Sequence, residues 1–135
     1  MRRNMELIRS LLLKLEEIPT ERGGIYHITA QDPEIDVAGF TPNEIDYHLH
    51  KILEAGLIVD HPDRPSDGIH FSGLSWTGHD FIDSVRDEDT WAVTMTTVET
   101  VGGFTFAIIN NVAKAIIKSK IARSEEHTSE LQSPC

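Results

Sequence analysis

Residues 41–59, here called the deciding stretch, read TPNEIDYHLHKILEAGLIV. Thr41 suits the N-cap of a helix, Pro42 suits its first position, and Glu44 completes a capping box with Thr41. Apolar residues then recur at helical spacing, at Ile45, Leu49, Ile52 and Leu53. Gly56 favours a left-handed C-cap, and Leu57–Val59 follows at once as a strand. The stretch therefore predicts a helix over residues 41–55 that leads directly into a strand.

A hairpin and another helix are predicted next. The loop His61–Gly68 contains two prolines and a glycine, and Ile69–Leu74 returns as a second strand. This hairpin is the candidate wing of a winged helix. Thr77 and Asp80 form a second capping box, which opens a helix with three inward residues, Phe81, Ile82 and Val85.

An amphipathic helix and a short strand precede the deciding stretch. The helix buries an apolar stripe that includes Met5, Ile8, Leu12 and Leu15. It leaves Arg9 in water, and Pro19 stops it. Alternation of acidic and apolar residues around Ile35–Val37 favours a short half-buried strand. This strand replaces the usual middle helix of a helix-turn-helix core, so the sequence leaves open whether the helix from Thr41 is presented to a DNA groove.

Two more helices are predicted toward the end of the chain. Trp91, Met95 and Val98 continue an apolar stripe that Gly102-Gly103 ends. Thr105 caps the last helix, whose apolar residues face one way, at Ile109, Val112, Ala113 and Ile116. The order of helix, short strand, helix, two-strand wing and helix predicts a mainly helical α+β domain that is winged-helix-like. With the two C-terminal helices, this domain is expected to cover residues 1–122.

The last residues, 123–135, read RSEEHTSELQSPC. The part from Arg123 to Ser133 matches, residue for residue, one frame of a widely used sequencing adapter. We therefore expect residues 123–135 to be a non-native, disordered tail, with the natural C-terminus lying at an unknown point beyond Ala122. This interpretation removes His127 and Cys135, the single cysteine, from the candidate functional residues.

The charge of the chain is −10 and is unevenly distributed. Eleven acidic residues and three basic ones lie between Thr41 and Trp91, whereas other bases gather near the two ends. Such a charge predicts weak non-specific affinity for nucleic acid. No stretch approaches the 18 or so apolar residues of a membrane span, and the N-terminal leucine run has no signal-peptide cleavage site. The sequence therefore predicts a cytoplasmic protein that does not contact a membrane.

Candidate metal and catalytic residues are interpreted as structural. His48 and His50 lie two positions apart on a helix, so their side chains point apart and cannot share a metal ion. His79 and Asp83 have a suitable spacing but make at most half a site. The remaining acids of this region suit helix capping and exposed faces, at Asp80, Asp87, Glu88 and Asp89. No nucleophile, phosphate-loop or metalloprotease motif is present, so we expect no catalytic residue, metal or cofactor, and no enzyme activity.

The two tryptophans raise the possibility of base stacking. Single-strand binders place such aromatic residues in basic grooves. Trp76 and Trp91 lie in an acidic region, so we expect both to pack in the core or at the domain rim.

Several motifs resemble domain-of-unknown-function family 2513, a bacterial and prophage-associated group. They begin at Met1 and reach to about Ile121, in the segments Met1–Arg9, Tyr47-His48, Ala55–Ile58, Leu74–Asp83, Arg86-Asp87 and Trp91. The run Trp76–Phe81 is the most specific of them. The resemblance implies a winged-helix-like fold and a mobile-element origin, and it implies no activity and no catalytic residue.

Two functions remain open at this point. The fold analogy favours a transcriptional regulator that binds double-stranded DNA, for which a recognition helix needs basic or amide side chains. The candidate DNA contacts are Arg2, Arg3, Arg9, Asn43, Lys51, Arg64, Lys114 and Lys118. The acidic surface favours the alternative, a protein-interaction module that docks on a basic partner, mimics DNA or self-associates through its C-terminal helices.

Overall fold

The structure, a computed structural model, describes residues 1–102 and 105–132. Five helices and a two-stranded antiparallel sheet occupy this part of the chain, which confirms the predicted mainly helical α+β class. The arrangement is compatible with a winged-helix-like fold. The chain divides into two units, Met1–Ile82 and Asp83–Cys135, and the single domain expected over residues 1–122 stays a prediction.

The first unit contains the elements that the deciding stretch organises. In chain order they are helix α1 (Met5–Glu17), strand β1 (Tyr26–Ile28), a 3-10 turn (Pro33–Ile35), helix α2 (Pro42–Glu54), strand β2 (Ile69–Phe71) and most of helix α3 (Trp76–Val85). The apolar faces of α1 and α2 pack together, and the core between the elements is fully buried at residues such as Leu11, Leu15, Leu49, Ile52 and Phe71. Burial of these faces, rather than helix propensity, supplies most of the stability of such short helices.

Helix α1 begins at an Asn4 N-cap, whose side chain accepts a hydrogen bond from the Leu7 amide at 3.2 Å. It ends before Pro19 as predicted, because a proline disfavours helical backbone at the residue that precedes it. The expectation that Arg9 lies in water is wrong, since this residue is only 7% exposed. The buried face of α1 is wider than the predicted stripe, and the long aliphatic stem of an arginine can cover apolar surface at its edge.

Helix α2 has both predicted ends. The Glu44 amide donates to the Thr41 hydroxyl at 3.2 Å, and the Thr41 amide donates to the Glu44 carboxylate at 3.1 Å. This reciprocal pair is the capping box. At the other end Gly56 has a φ of 72°, in the left-handed region that the predicted C-cap requires.

The sheet differs from the prediction at its first strand. β1 lies at Tyr26–Ile28, whereas the strand predicted around Ile35–Val37 is replaced by the 3-10 turn. Pro33 fixes a turn-compatible φ, and the Asp32 carboxylate accepts from the Thr29 amide at 2.8 Å. Pro33 and the Asp32 hydrogen bond therefore favour a turn, although the short alternation of apolar and acidic residues favoured a strand. A single 3-10 turn thus stands where a helix-turn-helix core has its middle helix.

The predicted wing is also only partly formed. β2 pairs with β1 in the register Tyr26↔Phe71, His27↔His70 and Ile28↔Ile69. The strand predicted at residues 57–59 makes one isolated bridge, between Ile58 and Leu74. Prolines in the loop that joins the two segments cannot donate to a ladder, which shortens the hairpin.

Helix α3 is capped two residues earlier than predicted. The Gly78 amide donates to the Ser75 hydroxyl at 3.1 Å, so Ser75 rather than Thr77 is the cap. The Ser75 amide itself donates to the Leu57 carbonyl at 3.0 Å. Pairing with the neighbouring segment therefore fixes where the helix begins.

The second unit is built on two helices that pack together, α4 (Glu88–Val101) and α5 (Phe106–Gln132). Asp87 caps α4, and Gly102 ends it with a φ of 77°. Gly103, which was predicted to share this role, lies outside the described residues. The Ile108 amide donates to the Thr105 hydroxyl at 3.3 Å, which confirms the predicted cap of α5. Trp91, Val98, Ile109 and Ala113 form the buried apolar face of the unit.

The backbone of α5 continues to Gln132, which differs from the disordered tail expected from residue 123. Adding a residue to an existing helix costs little, and no glycine or proline lies between Gly103 and Pro134 to interrupt it. The adapter origin of the tail stays a prediction, and residues 133–135 lie outside the described part. Among the described residues, no helix is long and apolar enough to cross a membrane.

Candidate interaction surfaces

The first candidate surface, here called the helix–wing face, is the exposed side of α2 together with the loop of residues 60–68. A groove of about 720 Å³ runs along it. Its walls include Asn43, Asp46 and His50 from α2, and Ser66 and Asp67 from the loop. In a winged helix, this is the side that presents the recognition helix to DNA.

The two predicted cations of the helix–wing face are each paired with a carboxylate. Lys51 Nζ lies 2.9 Å from Glu54 Oε2, and Arg64 Nη2 lies 3.1 Å from Asp60 Oδ2. The hydrogen bond to Glu54 raises the pKa of Lys51 above its ordinary value. Their positive charges are therefore largely balanced within the face.

The remaining carboxylates leave the helix–wing face negative. Asp46 and Asp67 have histidine neighbours at 3.7 Å and 3.5 Å, at His50 and His27. Within the described part of the chain, the carboxylate of Asp63 has no ion-pair partner. With neutral histidines, the face carries five carboxylates against two cations (Asp46, Glu54, Asp60, Asp63 and Asp67 against Lys51 and Arg64).

A group of histidines on the sheet and the wing loop was not predicted from the sequence. His27 and His70 lie opposite each other on β1 and β2 with ring centroids 6.0 Å apart, and His61 lies 6.5 Å from His70. His50 joins His61 and His70 around a small cavity of about 30 Å³. His27 and His70 are the middle residues of two three-residue strands, and their side chains point away from the core. This shared position is the sequence signal that could have located the pair. In the described ranges, no group of three or more histidine, cysteine or acidic residues is arranged to hold a metal ion.

His48 is the polar packing residue that the sequence predicted. It is 1% exposed, and its Nε2 accepts a hydrogen bond from the Asn4 amide at 2.8 Å. Its Nδ1 therefore carries the proton that it donates to the Glu44 carbonyl at 2.7 Å. The first bond attaches the N-terminal arm, residues 1–4, to α2, and the second holds the imidazole against its own helix. The two residues with metal-ligand spacing, His79 and Asp83, are exposed. His79 Nδ1 lies 3.8 Å from Glu16 Oε2, and Asp83 Oδ1 lies 2.8 Å from Arg86 Nη2.

The N-terminal arm brings two of the predicted DNA contacts together. Arg2 and Arg3 are exposed, and the charge of Arg3 is near enough to oppose the upward pKa shift of Lys51. Lys51 Nζ also lies 5.2 Å from the centre of the Tyr47 ring. Arg9, by contrast, is buried and is removed from the set of surface contacts.

The lysines of the second unit form a separate basic region on α5. Lys114 and Lys118 are exposed on this helix. Lys120 lies 3.5 Å from the Asp87 carboxylate and donates to the Thr90 hydroxyl at 2.8 Å. Hydrogen bonds from the Thr90 amide and hydroxyl, with the charge of Lys120, lower the pKa of Asp87. These contacts join the start of α4 to α5.

The two tryptophans have opposite environments. Trp91 is 5% exposed, which confirms its predicted packing role, but Trp76 is 89% exposed, so the prediction for it is wrong. The buried face of α3 includes Gly78, Phe81 and Ile82. A residue two positions before Gly78 lies on the opposite side of the helix, which is why Trp76 faces solvent.

Residues 2–105 match the family described as "Hypothetical protein (DUF2513)". The chain belongs to this family. An "Uncharacterized protein" from Haemophilus influenzae (strain ATCC 51907 / DSM 11121 / KW20 / Rd) is 31% identical over 125 residues, which cover 90% of this chain and 100% of that protein. No solved structure matches the chain. The family resemblance of the sequence motifs is thereby confirmed.

Proposed function

We propose that this chain is a protein-interaction module whose helix–wing face binds a basic partner protein. The observation that supports it most is the charge arrangement, in which Lys51 and Arg64 are paired while Asp63 has no cation partner among the described residues. Contacts to phosphate supply much of the affinity of a DNA-binding surface. A face with excess carboxylates repels phosphate and attracts lysine and arginine side chains.

The test compares two probes on the full chain. We expect a lysine oligomer of about ten residues to bind, with an affinity that falls between about 50 mM and 200 mM salt. A duplex of about 20 base pairs is expected not to bind at either salt concentration. Fluorescence anisotropy of labelled probes measures both affinities. Tight, salt-sensitive binding of the duplex with no binding of the lysine oligomer would contradict the proposal.

Charge reversal locates the binding on the helix–wing face. Asp63→Lys combined with Asp67→Lys is expected to weaken binding of the lysine oligomer about three- to tenfold, since exposed ion pairs are each worth up to about 1 kcal/mol. The matched control reverses two exposed acids of the same unit that lie outside the face, Glu21→Lys with Asp36→Lys. It changes the net charge equally. Equal losses for both variants would assign the binding to overall charge instead of to this face.

A second candidate function is the DNA-binding regulator of a mobile element that the sequence favoured. The nearness of the Arg3 charge to Lys51, whose Nζ lies over the Tyr47 ring, supports it, with Arg2 next along the arm. If this candidate holds, Arg2→Ala with Arg3→Ala weakens duplex binding and lowers its salt dependence. The same readout applied to Lys114→Ala with Lys118→Ala tests the basic region of α5.

A further inference from the structure

A second groove lies in the first unit, between the C-terminal end of α1 and β1. Its volume is about 660 Å³. Apolar side chains that line it include Ile18, Ile25 and Ile28, and three carboxylates line it as well, from Glu17, Asp32 and Glu34. Lys14 is the cation among its lining residues. The groove thus combines apolar side chains with a negative charge excess.

One wall of this groove is a strand with a free edge. β1 pairs with β2 along one side. In the ranges that the structure describes, the backbone of Tyr26–Ile28 makes no hydrogen bond to any segment other than β2. The unpaired amide and carbonyl groups of an edge strand are a template for another strand.

We propose that this groove binds an extended, basic segment of the partner protein, which pairs with the free edge of β1. The inference rests on the proposed function for the positive charge of the partner, but it concerns a surface separate from the helix–wing face. In strand addition, main-chain hydrogen bonds supply affinity and alternate side chains supply specificity. Apolar side chains of the segment contact Ile18 and Ile25, while basic side chains lie toward Glu17 and Glu34.

Charge complementarity selects this occupant. Three carboxylates against one lysine favour a segment that is rich in lysine or arginine over an acidic one. Ile25 is 59% exposed, so the groove offers apolar surface that an incoming apolar side chain would cover. A period of two residues in the segment satisfies both requirements, since successive side chains of a strand point to opposite faces.

The test uses two peptides of equal charge on the full chain. The strand-forming probe is KVKVKVK, and its control is KVKPKVK, in which the central proline removes an amide donor and disfavours a strand. We expect the strand-forming probe to bind about tenfold more tightly, the change that loss of one or two net hydrogen bonds produces. Titrations near 150 mM salt limit long-range attraction between charges.

Two neutral substitutions locate the site. Ile25→Ser is expected to weaken binding of KVKVKVK about three- to tenfold, because it removes apolar surface from the groove. Val59→Ser is the matched control, since Val59 is 42% exposed and does not line the groove. Circular dichroism checks that both variants fold. Chemical-shift changes in the wild-type chain are expected at residues 14–34.

Several results would overturn the inference. They are equal affinity for the two peptides, equal effects of the two substitutions, or no binding of KVKVKVK at its highest soluble concentration. Self-association that Ile25→Ser abolishes would assign the groove to a second copy of the chain instead. Binding of KVKVKVK that Asp63→Lys with Asp67→Lys leaves unchanged separates this inference from the proposed function. If that variant also leaves binding of the lysine oligomer unchanged, the proposed function fails while this inference stands.

Discussion

Gly78 lies where the first turn of α3 passes closest to the backbone at Leu57. A Cβ atom added at Gly78 would lie 1.9 Å from the Leu57 carbonyl oxygen, so one of the two segments must move. We expect Gly78→Ala to lower the free energy of unfolding by about 1–3 kcal/mol, the usual cost of overpacking. Urea denaturation measures the change. Thr77→Ala, at the exposed neighbouring position, is expected to have little effect. An equal loss of stability there would show that any substitution in this turn of the helix is destabilising, whether or not it meets the Leu57 backbone.

The carboxyl group of Asp87 is expected to make the stability of the fold depend on pH. Its pKa lies below the ordinary 3.8 because the Thr90 amide and hydroxyl and Lys120 favour the charged carboxylate. Its contribution to stability is therefore fully present above pH 3.8 and is lost as the pH falls through the folded-state pKa. Asp87→Asn keeps a capping side chain but has no such titration. We expect thermal unfolding temperatures of wild type and variant to converge as the pH falls below 3.8, and a constant difference would contradict this.

The sequence correctly predicted those helix ends that depend on neighbouring residues. The capping box at Thr41 and the C-cap at Gly56 are encoded within a few residues, and both are present. The pairing of β1 with β2 depends on residues far apart in the chain, and neither three-residue strand has enough alternation to reveal its partner. Ser75 shows the same limit, because its role as a cap depends on its bond to Leu57.

The candidate surfaces depend on those long-range pairings. Lys51 and Arg64 were correctly placed on the predicted helix and wing, but sequence alone did not show that Glu54 and Asp60 pair with them. The groove beside β1 was equally hidden, since no strand was predicted at Tyr26. Ion pairing and side-chain exposure are properties of the folded chain. They are the reason that we propose a protein-interaction role for residues that the sequence assigned to DNA binding.

Self-association of the chain through its C-terminal helices is the remaining partner prediction. Val93 on α4 and Ile108 and Ile121 on α5 are exposed apolar side chains. Apolar side chains on the faces of paired helices favour association with a second copy when they are brought into contact. We expect sedimentation velocity over a concentration series to show a dimer that Ile108→Glu weakens, since a carboxylate in an apolar interface is costly to desolvate. Ala92→Glu, on the exposed surface of α4, is the control. A monomer at every concentration, or equal effects of the two substitutions, would show that these helices do not form the interface.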